Sequence, residues 1–117
     1  MRLRIEYKGA ALRDLAQKKE YLETVLKNKR AAQKLAAAVL HTVSLLKSNP
    51  HMGAELRGKY DVDTDLRFLI VAKQVVFYRI TDGSLISVVR ILDGRQDYMA
   101  ILFGDSSEPP QEDGRGR

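Results

Sequence analysis

The sequence predicts a single α+β domain in which two helices pack on an antiparallel sheet. Three observations carry this. Apolar residues alternate at the start, at the period of two that a half-buried strand requires, and three β-rich runs follow residue 65. Between these regions, residues 10–47 switch to the period of a helix. At 117 residues with 44% hydrophobic side chains, the chain suffices for one core and no more.

Taken in order, Arg2 to Tyr7 places Leu3, Ile5 and Tyr7 on one side of a strand, and Lys8-Gly9 breaks it. From Ala10 to about Leu26, the residues Leu12, Leu15, Leu22, Val25 and Leu26 form one helical stripe. Asn28 suits the N-cap of a second helix from about Arg30 to Lys47, whose stripe is Ala32, Leu35, Ala36, Val39, Val43 and Leu46. Its alanines allow close approach, so the pair reads as an antiparallel hairpin of helices, closed by Ser48-Asn49-Pro50. Lys27, Lys29 and Arg30 suit the end of the first helix but oppose the dipole at the start of the second.

Pro50 to Asp65 reads as a loop. Leu66–Val71, Val75–Thr81 and Leu85–Leu92 then form a three-stranded antiparallel meander, with Asp82-Gly83 supplying a hairpin signal. Tyr98 to Phe103 is a final apolar piece, helix or strand, and Phe68, Phe77 and Phe103 read as core. The domain is expected to span 1–104. Residues 105–117 hold no hydrophobic side chain and are rich in Pro, Gly, Ser and acid, so they are expected to be a disordered tail.

Composition excludes several chemistries. No cysteine is present, which removes disulfides, thiolate metal sites and a cysteine nucleophile. His41 and His51 have no metal-ligand spacing, no phosphate-cradling glycine loop occurs, and neither a metal nor a cofactor is expected. No apolar run is long enough for a bilayer, and Met1-Arg2-Leu3-Arg4 lacks a signal core, so a cytoplasmic protein is expected. The net charge is +5. The tail holds four acids and two arginines; taking its −2 from +5 leaves +7 on residues 1–104. A basic body of this kind suits an acidic or polyanionic partner.

The order strand, helix hairpin, meander resembles the RelE/ParE superfamily of toxins from type II toxin–antitoxin modules. The residues that carry the resemblance are Asn49-Pro50 with Gly53, then Leu66-Arg67, Phe77-Tyr78-Arg79, Val89-Arg90-Ile91-Leu92, Gly94-Arg95 and Asp97. It covers the body and none of the tail. The resemblance implies a cognate antitoxin and one of two activities. ParE-like members act on DNA gyrase, whereas RelE-like members cleave messenger RNA on the ribosome without a metal.

Metal-free RNA cleavage needs a base for the 2′-hydroxyl, an acid for the leaving oxygen and cations around the phosphate. Arg67, Arg79, Arg90 and Arg95 are the candidate cations for nucleic acid or another target, since a planar guanidinium binds phosphate oxygens in pairs. For a nuclease, Arg67, Arg90 and Tyr98 would be catalytic, with Asp63 as base. Each also has an ordinary structural reading: solvated strand arginines, a half-buried anchoring tyrosine, a turn-forming aspartate. Three departures weaken the nuclease pattern. Asp61, Asp63 and Asp65 stand where RelE-like nucleases carry lysines. Asp93 stands where many relatives have histidine, and Gln96 replaces a frequent arginine. The expected function is therefore a ParE-like growth inhibitor acting on gyrase, with the ribosome-dependent endonuclease as the alternative.

Overall fold

The computed structural model describes residues 3–104; the expected tail, 105–117, lies outside the described residues. Among the described residues, nine regular elements succeed one another: β1 (Arg4–Tyr7), α1 (Gly9–Glu20), α2 (Lys29–Ser44), β2 (Ala54–Glu55), α3 (Leu56–Lys59), β3 (Arg67–Val71), β4 (Gln74–Thr81), β5 (Leu85–Asp93) and α4 (Tyr98–Phe103). A π-helical turn, Tyr21–Val25, extends α1, and a 3-10 turn, Leu45–Lys47, extends α2.

The expected meander β3-β4-β5 is present, and it sits inside a wider sheet. The order is β1-β5-β4-β3-β2, with β1 parallel to β5 and every other pair antiparallel. β1 lies in register Arg4↔Leu85 to Tyr7↔Val88, so the first strand closes the edge beside the last. The segment expected as loop over Pro50 to Asp65 instead contains β2 and the one-turn helix α3. Two residues of strand and four of helix are too few to leave a readable period.

The sheet separates two apolar clusters. On one face, Val76, Tyr78, Ile86, Val88 and Ile91 pack against Ala11 and Leu15 of α1 and Leu35, Val39 and Val43 of α2. On the other, Val75, Phe77 and Leu92 pack with Leu56, Leu66, Tyr98 and Leu102. The stripe of α2 is buried as expected, with Ala36 only half-buried, and Asn28 caps the helix by accepting the Ala31 N–H at 3.0 Å.

The stripe expected for the first helix is corrected. Leu15 is buried, but Leu12, Val25 and Leu26 are 51%, 60% and 53% exposed, and Ala11 is the second residue in the core. Two causes act. The helix lies close to the sheet on a small side chain, and its last turn opens to the wider i→i+5 pattern. There the Leu26 N–H donates to the Tyr21 carbonyl, and the wider turn shifts the phase of the last apolar residues. Of the three phenylalanines only Phe77 is fully buried; Phe68 is half-buried and Phe103 is on the surface.

One close approach explains a glycine. The Tyr78 hydroxyl, fully buried, accepts the Gly53 N–H at 2.9 Å and donates to the Pro50 carbonyl at 2.8 Å. A Cβ on Gly53 would stand 2.7 Å from that oxygen and 2.6 Å from the Phe68 carbonyl. The Asn49-Pro50…Gly53 series is thus a backbone docked on a strand tyrosine.

Candidate functional site

The four arginines do not converge. Arg67 lies on the helix-hairpin side of β3 and fastens the segment before β2: its Nε donates to the Gly53 carbonyl at 3.0 Å, one terminal nitrogen to the His51 carbonyl at 3.3 Å, and the other approaches Glu55 at 3.5 Å. Arg79, two residues beyond Phe77, pairs with exposed Asp65 at 3.0 Å. Asp63 is exposed in the stretch leading into β3. Tyr98 belongs to the cluster on the far face of the sheet. Its ring packs 5.4 Å from Phe77, and its hydroxyl lies 2.8 Å from the Tyr60 hydroxyl. That hydrogen bond, with burial behind it, pushes the Tyr98 hydroxyl above its ordinary pKa.

Arg90 and Arg95 do share a place. They line a cleft of about 480 Å³ between α1 and the end of β5, with Asp14, Lys18, Asp93 and Ile101. Arg90 reaches it through an irregularity in the ladder. Phe77 pairs with Arg90 but Tyr78 with Val88, so Val89 is an extra residue, and the bulge turns the next side chain toward α1. There Arg90 grips Asp14 with two hydrogen bonds, Nε at 2.8 Å and a terminal nitrogen at 2.9 Å, while the same carboxylate accepts the Ile91 N–H at 2.9 Å. Asp14 is only 10% exposed and Arg90 28%. The hydrogen bonding it donates to Asp14 holds the guanidinium above even its usual high pKa, against an opposing effect of burial.

Asp93 is the second hub. Arg95 donates to both of its oxygens at 2.9 Å, and Lys18 from α1 approaches one of them at 2.9 Å. The Arg95 bonds first, and Lys18 after them, hold this carboxyl far below the usual carboxylate range despite its burial. Asp93 is consequently an anion at neutral pH and has no proton to give. Arg95 itself is 82% exposed on its outer side.

Next to this cleft, and sharing Lys18, Tyr21, Asp93 and Arg95 with it, runs an apolar groove of about 740 Å³ between the helix hairpin and the β3–β4 turn. Its floor includes Leu22, Leu26, Leu35 and alanines of α2; its rim carries Lys34 and Lys73.

Sequence reasoning missed Asp14, the residue that fixes Arg90. A signal was present: a cation inside an aliphatic strand needs a buried anion, and Asp14 directly precedes Leu15, the core residue of the helix. His41 and His51 are both exposed, and no group of three potential metal ligands occurs among the described residues.

With this geometry in view, the comparisons with known proteins are direct. The family model of the ParE toxin of type II toxin–antitoxin systems, parDE, matches residues 5–98. The chain belongs to the ParE toxin family. The match reaches every strand and both long helices, and stops at Tyr98, the first residue of α4. Ten chains of known structure also match. One of them, described as "Chromosomal ParDE TA system from P. aeruginosa", superposes with a TM-score of 0.63 at 20% identity, covering 78% of this chain and 95% of that one. That likeness is one of fold. No curated protein matches. Family membership makes this ParE-type chain a type II toxin.

Proposed function

We propose that this toxin arrests growth by binding DNA gyrase, and that a cognate antitoxin keeps it silent. The observation that carries the reading is the dispersal of the nuclease candidates. Arg90 is bound at both Asp14 oxygens, Arg67 is spent on the His51 and Gly53 carbonyls and the Glu55 carboxylate, and Tyr98 is hydrogen-bonded to Tyr60 on the opposite face of the sheet. Phosphoryl transfer to a 2′-hydroxyl requires base, acid and cation around one phosphate, and these three side chains have separate surroundings. A protein target asks only for a shaped surface. Membership of the family implies the antitoxin, and the groove under the helix hairpin is the surface this reading gives it, since an amphipathic helix would bury the apolar floor there. The reading needs no cofactor and requires a cytoplasmic location. Among the described residues no helix is long and apolar enough to cross a membrane.

Two measurements test it, one on cells expressing the toxin alone and one on the purified protein. Primer extension on transcripts shortly after induction should show no new breaks, and purified toxin should inhibit gyrase supercoiling. Cleavage within translated codons that disappears in Arg90→Ala would replace the reading with ribosome-dependent RNA cleavage.

A further inference from the structure

The cleft and the groove share a collar of cations, and the chain carries its own candidate to cover it. Lys18, Lys34, Lys73 and Arg95 all border the groove. Lys18 and Arg95 are matched by Asp93, but among the described residues neither Lys34 nor Lys73 has an acidic partner. Helix α4 ends beside this collar. Ile101 lines the same cleft as Lys18 and Arg95, and Gly104 comes three residues later. The sequence then continues Asp105-Ser-Ser-Glu108-Pro-Pro-Gln-Glu112-Asp113, four acids with no base among them. Nine residues reach about 30 Å when extended, and they begin four residues beyond Ile101, which already lines the cleft with Lys18 and Arg95.

We propose that residues 105–113 dock along this collar, setting their carboxylates against Lys34, Lys73 and Arg95. Tethering makes the encounter intramolecular, with an effective concentration of order millimolar, which allows individually weak surface pairs to be populated together. The segment has no hydrophobic side chain, so it covers the cations and leaves the apolar floor open. A polyanion held by charge alone is thereby disfavoured, while a ligand with apolar anchors can displace the segment. This inference concerns only the chain's own charges and stands whether the target is gyrase or RNA.

The test is lysine acetylation by acetic anhydride, followed residue by residue by mass spectrometry. It compares the full chain with a full-length variant carrying Asp105→Asn, Glu108→Gln, Glu112→Gln and Asp113→Asn. At low salt, Lys34 and Lys73 should react about two- to fivefold faster in the variant, while Lys47, which borders a different groove between β1 and α2, keeps its rate. The difference should vanish near 1 M salt, where the screening length falls to about 3 Å. Equal rates at Lys34 and Lys73 in the two chains would overturn the proposal. A uniform rise at every lysine, Lys47 included, would overturn it as well, because it would report the change in net charge rather than a docked segment.

Discussion

Asp14 anchors one end of the cleft and Asp93 the other, and they act differently. The Asp14 carboxylate neutralises Arg90 and also takes up the Ile91 N–H at the β5 bulge. Truncating Asp14→Ala strands a partly buried guanidinium and an amide together, and should cost about 3 kcal/mol in urea denaturation. Arg90→Ala strands the carboxylate instead. The double variant should be more stable than the sum of the two losses by about 1–3 kcal/mol, since neither charge is then left alone. Additive losses would mean that the pair is not coupled. Asp93 supplies the pH dependence. Its folded pKa is depressed, so the unfolded chain takes up its proton first. The contribution is complete above an unfolded pKa of about 3.9 and is lost as pH falls below that value. Asp93→Asn should therefore be less stable than the parent at pH 7, and the gap should narrow as melts are taken from pH 4 downward.

At the scale of elements, the β3–β4 hairpin is the strained one. Ala72 and Lys73 occupy left-handed backbone, with φ of 51° and 67°, in a two-residue turn between paired Val71 and Gln74. Such a turn prefers Asn-Gly. Replacing Ala72-Lys73 by Asn-Gly should raise stability by about 1 kcal/mol, read as a higher urea midpoint at unchanged m-value. The same strain shows what is legible in the sequence. The β4–β5 turn is readable because Asp82 and Gly83 match their positive φ values, and α2 is readable because its apolar stripe and Asn28 cap agree. The β3–β4 turn can be placed only by elimination, since alanine and lysine do not announce left-handed backbone. The site is legible in part. The arginines are visible as residues, but their separation depends on register, on the Val89 bulge and on the partner Asp14, none of which leaves a local pattern. The phase of the first helix escapes the sequence for a related reason, because burial there depends on the distance to the sheet rather than on hydrophobicity.

At the scale of the molecule, the arrangement of the sheet decides how the toxin opens. β5 is an interior strand, flanked by β4 and by β1 from the other end of the chain, so the pairing of Glu6 with Ser87 spans most of the sequence. Ile5 and Tyr7 of β1 pack against the main core, and the amide of Lys8 donates to the Val88 carbonyl at 2.9 Å. Releasing that amide requires lifting β1 off the cluster that also seats both helices. At the opposite edge, β2 offers two exposed residues paired to β3, and the Leu56 amide donates to the Leu66 carbonyl at 3.0 Å beside the smaller cluster. An opening confined to that edge leaves the helix hairpin in place. Hydrogen exchange should therefore separate the two edges: the Lys8 amide should exchange only with global unfolding, with the same denaturant dependence as the β5 amides, while the Leu56 amide exchanges at least about tenfold faster by local opening that denaturant barely affects. Protection at Lys8 no greater than at Leu56 would show that β1 frays by itself. The site would then be held by α1 and β5 alone, through Asp14, and Asp14→Ala would loosen the cleft without any contribution from the N-terminal strand.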